Sequence, residues 1–171
     1  KNRCVTFAPK MHSAVHTRLE LELALRDATG SDELFLVYQP TFDLPACEVS
    51  GVEALIRWRH PQRGTLLPGD FLPVAEAAGL MGPLGDWVLD QACRQAAEWA
   101  RAGTPLAVSV NVSAQQLLDP TFAATVRRVL DESGLPPELL ILDLGEHLLT
   151  GSPALSGDRL AAVKALGVRV A

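Results

Sequence analysis

The chain has 171 residues, of which 48% are hydrophobic and 20% are charged, and its formal net charge is −5. This length and composition are typical of one globular domain with a full core, and no low-complexity segment or internal repeat interrupts it. The negative net charge and the lack of a basic cluster argue against a surface that wraps a nucleic-acid polymer. They do not exclude a small site for a phosphorylated ligand.

The cysteines indicate a reducing compartment. Cys4, Cys47 and Cys93 are scattered without CxxC spacing, which argues against a disulfide framework and against a thiolate metal site. No run of about 18 apolar residues occurs, and the N-terminus lacks a signal-peptide pattern. We therefore expect a soluble, cytoplasmic piece, although its parent protein could be membrane-anchored elsewhere.

The N-terminal part divides into a tail and a helix. Residues 1–10 begin with a short apolar, strand-like run and are expected to be the tail of an upstream domain. Residues 11–30 predict a connector helix that ends at Gly30. His12 and His16 have an i, i+4 spacing, but the glutamate of a zinc-protease helix is absent, so solvated histidines are favoured.

A hairpin is predicted next. Residues 34–39 read as a strand that stops at Pro40, and a turn leads into a second strand over residues 51–60. The second strand alternates, so Glu53 and Arg57 share a face, roughly 13 Å apart at about 3.3 Å per residue. That separation is too long for a salt bridge but suits two parts of one ligand, such as a metal ion and a phosphate. On the strand alone, charges at a sheet edge are the simpler interpretation.

The remaining chain predicts helices and further strands. Residues 61–69 read as a loop, Asp70 as the cap of a short helix that ends near Gly79, and Pro83 as the start of a helix that Gly103 closes. An alternation of strand and helix follows, with strands at 106–113, 139–144 and 168–171 and helices after Asp119-Pro120 and at 158–166. This order predicts a parallel sheet with helices outside it. A closed barrel needs roughly 200 to 250 residues, so we expect an α/β barrel that is incomplete here.

Three successive predicted strands each carry one oxygen-bearing side chain among hydrophobic neighbours: Glu53, Asn111 and Asp143. Burying such groups costs free energy unless a partner satisfies them. Two carboxylates and an amide oxygen at the carboxyl ends of barrel strands suit a hard cation such as Mg²⁺ or Mn²⁺. The alternative is that Asn111 and Asp143 cap neighbouring loops.

Five blocks of the sequence, in order and at the right spacing from about Leu34 onward, together resemble the signature of EAL domains. They are Tyr38-Gln39-Pro40, Gly51-Val-Glu53-Ala54-Leu55-Ile-Arg57-Trp-Arg-His-Pro61, Phe71-Leu-Pro-Val-Ala-Glu76, Val110-Asn111-Val-Ser113-Ala, and Leu142-Asp143-Leu-Gly-Glu146. Residues 1–11 also resemble the end of a GGDEF domain. The resemblance assigns residues 31–171 to the N-terminal portion of an EAL domain, with a GGDEF-like domain upstream in the same chain.

The resemblance implies a modified TIM-type (β/α) barrel that hydrolyses cyclic-di-GMP to linear pGpG with Mg²⁺ or Mn²⁺. Carried over by position, the metal ligands are Glu53, Asn111 and Asp143. The substrate contacts are Arg57, Gln39 and Leu55, and Glu146 stabilises an active-site loop. The resemblance also makes a homodimer possible.

Two departures from the family pattern bear on activity. The first lies in one motif, where Asp143 stands in place of the family's glutamate and Gly145 in place of its threonine, and the second is the set of later family residues that fall beyond Ala171. The shorter carboxylate is expected to weaken metal occupancy, because Mg²⁺ tolerates poor octahedral geometry badly. The family's paired aspartates, catalytic lysine and later glutamate fall beyond Ala171. No catalytic residue is therefore assignable, and this piece alone is expected to be inactive.

The sequence leaves three functions open. A phosphodiesterase is favoured by Glu53, Asn111 and Arg57. A degenerate module that binds cyclic-di-GMP without cleaving it is favoured by Asp143 and Gly145. A protein-interaction barrel with no nucleotide role would fail to bind the dinucleotide.

Overall fold

The computed structural model describes residues 9–45, 47–145 and 153–171, and the side chains of residues 18–45, 47–145 and 157–171. The predicted strand-like run at the N-terminus with Cys4, the side chains of His12 and His16, and the whole of Glu146 lie outside the described residues.

Strands and helices alternate along the chain. The strands are β1 (Leu34–Asp43), β2 (Glu48–His60), β3 (Gly64–Leu66), β4 (Ala107–Val112), β5 (Leu140–Leu144) and β6 (Arg169–Val170). The helices are α1 (Pro9–Ala28), α2 (Pro68–Ala77), α3 (Met81–Arg101), α4 (Ala114–Leu118), α5 (Phe122–Ser133) and α6 (Pro153–Lys164). Among the helices that the structure describes, none has the length and apolar character needed to cross a bilayer.

One sheet joins all six strands in the order β1-β2-β4-β5-β6, with β3 paired to β2. β1 runs antiparallel to β2, whereas β2, β4, β5 and β6 run parallel to one another. Parallel neighbours need crossover connections, and helices supply them here, as the alternation in the sequence predicts. The α/β fold and the partial parallel sheet are therefore as expected.

The alternation of β2 separates two faces of the sheet. Val52, Ala54, Ile56 and Trp58 are buried in the main core, which also contains residues of α2 and α3. The intervening side chains, from Glu53 to Arg57, are half-buried on the opposite face. One strand thus contributes apolar residues to the helix layer, and its charged Glu53 and Arg57 lie with Leu55 on the other, open face.

Several predicted boundaries are wrong. β1 does not stop at Pro40 but continues to Asp43, because β1 is an edge strand of this sheet and an edge position tolerates the missing N–H. The predicted loop at 61–69 contains β3, and the short helix α4 was not anticipated.

Two predicted helix starts also shift. α2 begins at Pro68 rather than after Asp70, whose carboxylate instead accepts a 2.9 Å hydrogen bond from the Leu67 N–H. α3 begins at Met81, two residues before Pro83. Both prolines lie in a first turn, where no N–H is needed.

Gly51 allows β2 and β4 to approach closely. A Cβ at this position would lie 2.6 Å from the carbonyl oxygen of Ala107, its partner across the two strands. In the complete domain, we expect Gly51→Ala to lower the free energy of unfolding by about 1–3 kcal/mol, because backbone has to move. Gly69→Ala is the matched control: its Cβ would meet nothing within 4 Å, and alanine favours the helix. Urea unfolding measures both, and equal midpoints for the two variants would contradict this account.

Candidate metal and ligand site

The six residues predicted to bind metal or substrate lie on one face of the sheet. Directly paired residues share a face, and the register pairs Gln39 with Glu53, and Asn111 with Asp143. Glu53 in turn pairs with Ser109, which precedes Asn111 by one period of the strand. The period of two then brings Leu55 and Arg57 to this same face.

The structure brings Glu53 and Asn111 into direct contact. The Asn111 side-chain Nδ2 donates a hydrogen bond of 2.8 Å to Glu53 Oε1, although the two residues are 58 positions apart in the sequence. The contact is diagonal, because the register partner of Glu53 on β4 is Ser109. The Asn111 amide therefore points along the sheet toward Glu53, not toward a neighbouring loop.

Asp143 extends the set by one strand. It is half-buried on β5, directly beside Asn111 in the register. Neighbouring strands lie about 4.8 Å apart, so side chains on one face of such a pair reach a common ligand. Asn111 thus lies between Glu53 and Asp143 in the sheet, with one carboxylate on each flanking strand.

These three side chains fit a divalent cation by their chemistry. Two carboxylates and an amide supply hard oxygen donors, the kind that Mg²⁺ prefers. Across the described ranges, no arginine or lysine forms an ion pair with Glu53 or Asp143. The same ranges hold no group of three His, Cys, Asp or Glu side chains that could hold a metal, and the third oxygen donor beside the two carboxylates is an amide.

The predicted substrate contacts lie on the same face of the sheet. Arg57 is half-buried, and its Nη1 donates a 2.8 Å hydrogen bond to the carbonyl oxygen of Ile56 in its own strand. Gln39 is exposed on β1 beside Glu53. In the part of the chain that the structure describes, no carboxylate forms an ion pair with Arg57.

A cavity of about 350 Å³ opens where β2 and β4 part. The pairing of these strands ends at Ala54 and Val110, one residue before Leu55 and Asn111, which both line the cavity. Most of the wall is apolar and comes from α2, α3 and the start of α4. The wall residues are Ala54, Ile56, Pro68, Leu72, Met81, Leu84, Gly85, Val88, Val112, Ser113 and Gln116.

Of the residues that line this cavity, the sequence predicted only Leu55 and Asn111 as site residues. The helix contributors carry no chemistry of their own, and their only signal is the apolar periodicity of α2 and α3. The signal that could have found Gln116 is the spacing Ser113-x-x-Gln116, which is typical of a capping box, because α4 has five residues and is too short to show a period. Gln116 is buried at 5% exposure, among the few polar residues that the structure buries.

Asp86 is a titratable group on α3 near this wall. Burial raises the pKa of its carboxyl above the ordinary value, and a hydrogen bond from the Gln116 side chain partly opposes the rise. The positive charge of Arg128 opposes it as well, whereas the nearby Asp119 carboxylate adds to it. Gln116 thus contacts both the start of α4 and helix α3.

Known proteins resemble this chain in sequence and architecture. The EAL domain model matches residues 22–171. The chain is 38% identical over 166 residues to the cyclic di-GMP phosphodiesterase PA2567 of Pseudomonas aeruginosa, covering 96% of this chain and 28% of that protein. It is 46% identical over 160 residues to the uncharacterized protein Rv1357c of Mycobacterium tuberculosis, covering 92% of this chain and 52% of that one.

Solved structures agree with the fold. The PaMucR phosphodiesterase in complex with c-di-GMP superposes with a TM-score of 0.84 at 39% identity, covering 88% of this chain and 62% of that one. The FimX EAL domain of Xanthomonas citri in complex with c-diGMP superposes with a TM-score of 0.84 at 27% identity. The match covers 93% of this chain and 62% of that one. The chain therefore spans less than two thirds of each of these relatives, and the predicted fold class, part of a TIM-like barrel, is confirmed. The chain belongs to the EAL domain family.

Proposed function

We propose that the complete domain is a phosphodiesterase that hydrolyses cyclic-di-GMP to linear pGpG in bacterial second-messenger signalling. The observation that carries the proposal is the contact between Glu53 and Asn111, with Asp143 next in register, on the open face of the sheet. A likeness of 38% to a cyclic di-GMP phosphodiesterase supports it.

Membership of this family implies dependence on a divalent metal, and the proposal assigns Mg²⁺ or Mn²⁺ to this chain. Glu53, Asn111 and Asp143 would hold the ion through their side-chain oxygens. When bound, such a cation offsets the negative charge that grows on a phosphodiester and makes water more acidic. The protein contributes fixed positions for these oxygens, since all three come from strands of one sheet.

The substrate contacts follow from the same face. Arg57 would bind a phosphate, Gln39 would contact the ligand beside Glu53, and Leu55 would contribute apolar surface at the mouth of the cavity. The role of Glu146 in stabilising a loop rests on the sequence resemblance alone. The residues that act as acid or base are not assigned in this chain.

The segments before the domain are assigned by the same proposal. Residues 1–10 are proposed as the tail of a GGDEF-like domain, and residues 11–30 as the connector that joins it to residues 31–171. Helix α1, which spans most of this connector, buries Leu21, Leu25 and Ala28 in the core of the domain. A cytoplasmic location and a homodimer belong to the same proposal, and sedimentation of the complete protein tests the dimer.

Turnover of cyclic-di-GMP by the complete domain, with Mg²⁺ or Mn²⁺ and with a chelator, tests the proposed function. Formation of pGpG that stops with the chelator is expected. Saturable binding of the dinucleotide without product would establish the second candidate, a receptor, which the shorter side chain of Asp143 favours. Neither product nor binding would leave a protein-interaction domain.

Asp143 offers a graded test of metal binding. In the complete domain, Asp143→Glu is expected to lower the Mn²⁺ concentration that gives half-maximal turnover, by about tenfold, since the longer carboxylate approaches an octahedral ion with less strain. Asp131→Glu, on the exposed surface of α5, is the control and should change nothing. An unchanged Mn²⁺ requirement in Asp143→Glu would mean that the aspartate already reaches the ion.

A further inference from the structure

Gln116 ties the start of α4 to the end of β4. Its side-chain Oε1 accepts hydrogen bonds from the backbone N–H of Ser113 at 3.2 Å and from the Ser113 hydroxyl at 3.1 Å. Its own backbone N–H donates to the Ser113 Oγ at 3.2 Å. This reciprocal arrangement is a capping box, and it fixes the residue at which the strand turns into the helix.

The other side of Gln116 is held by α3. A Cβ at Gly85 would lie 2.2 Å from three atoms of the Gln116 side-chain amide, so a residue with a side chain cannot occupy position 85 while the amide stays in place. The Gln116 side chain also lines a cavity together with Asp86, the next residue in α3. The amide is therefore wedged between α3 and the Ser113 turn.

Asn111 is paired with a neighbouring strand on one side only. On the β5 side it pairs with Asp143, but on the β2 side the ladder ends at Ala54 and Val110, one residue before Asn111. Beyond that point the backbone of β4 borders the cavity instead of a strand. Asn111 is separated from Ser113 by the buried Val112 alone, so the capping box fixes the backbone two residues after Asn111.

We propose that Gln116 is a positioning residue that acts through Ser113 to set the Asn111 amide opposite Glu53, and thereby sets the affinity of the site for a divalent cation. The inference rests on the proposed function for the identity of the ion. Gly85 completes the device, because its lack of a side chain makes room for the Gln116 amide.

The test measures Mn²⁺ binding to the complete domain by electron paramagnetic resonance, alongside turnover of cyclic-di-GMP. Gln116→Met keeps the length of the side chain but removes its polar atoms, and we expect at least a tenfold weaker Mn²⁺ affinity, with kcat largely recovered at saturating Mn²⁺. Gln115→Met, on the exposed neighbour in α4, is the matched control and should bind Mn²⁺ as the parent does.

Gly85→Ala separates positioning from loss of folding. Alanine favours the interior of α3, yet its Cβ displaces the Gln116 amide, so Mn²⁺ affinity should fall while the domain stays folded. The double variant Gly85→Ala/Gln116→Ala should bind Mn²⁺ no more weakly than Gln116→Ala alone. Without the Gln116 amide, the Cβ at position 85 has nothing to displace.

The outcomes distinguish this inference from the proposed function. Unchanged Mn²⁺ affinity in both Gln116→Met and Gly85→Ala would overturn the positioning role, as would a parent that binds no Mn²⁺. A parent that binds Mn²⁺ but forms no pGpG would overturn the proposed enzyme, and the shift in Mn²⁺ affinity would still decide the role of Gln116.

Discussion

Replacing Glu53 with glutamine is expected to reduce the metal-dependent turnover of cyclic-di-GMP by more than about 100-fold, since loss of even an outer partner of a metal ligand costs about 10–100-fold. Glutamine keeps the size of the side chain and an oxygen that can accept the 2.8 Å hydrogen bond from Asn111. The substitution therefore removes the negative charge and leaves the contact between β2 and β4. Steady-state turnover of the complete domain, titrated with Mn²⁺, measures the effect.

Glu48→Gln is the matched control, because Glu48 is exposed at the start of the same strand, far from the proposed site. It loses the same charge and should retain parental turnover. The melting temperatures of both variants should stay close to that of the parent. Turnover near the parental rate in Glu53→Gln would remove Glu53 from the proposed set of metal ligands.

Trp58→Ala is expected to lower the free energy of unfolding by about 3–5 kcal/mol, the range for truncating large buried aromatic residues. Trp58 is 0% exposed, and its ring meets Phe71 of α2 edge-on with 5.7 Å between ring centroids. Its Nε1 also donates a 3.0 Å hydrogen bond to the carboxylate of Glu33, just before β1. The loss would therefore leave a large cavity between the sheet and α2.

Trp58→Phe separates the two contributions, because it keeps an aromatic ring and removes the hydrogen bond to Glu33. We expect a smaller loss, about 1–3 kcal/mol. Urea unfolding of the complete domain measures both variants. If Trp58→Ala unfolds within 1 kcal/mol of the parent, the packing between β2 and α2 contributes far less than this burial indicates.

The sequence predicted which face of the sheet carries the site residues, because the alternation of side chains along a strand is a local pattern. The period of two in β2 separates Glu53 and Arg57 from the buried Ile56 and Trp58, and the structure has the same separation. Asn111 and Asp143 follow from the same rule, since strands in register carry the period across the sheet. The alternation of strands and helices likewise predicted that β4, β5 and β6 run parallel to one another.

Features that depend on tertiary contacts could not be predicted in this way. The diagonal bond between Asn111 and Glu53 depends on where the β2–β4 ladder begins, which no local pattern encodes. Pro40 reads as a strand terminator until β1 is known to be an edge strand. The burial of Gln116 depends on the glycine at position 85, in another helix.

The site itself is tested most directly by locating the ion. Crystals of the complete domain grown with Mn²⁺ and cyclic-di-GMP should show an anomalous peak within about 2.0–2.4 Å of oxygen atoms from Glu53, Asn111 and Asp143. A peak bound by Glu53 and Asn111 but beyond reach of Asp143 would restrict the set to two residues of this chain. Mn²⁺ bound elsewhere in the domain, with none at Glu53 and Asn111, would contradict the account.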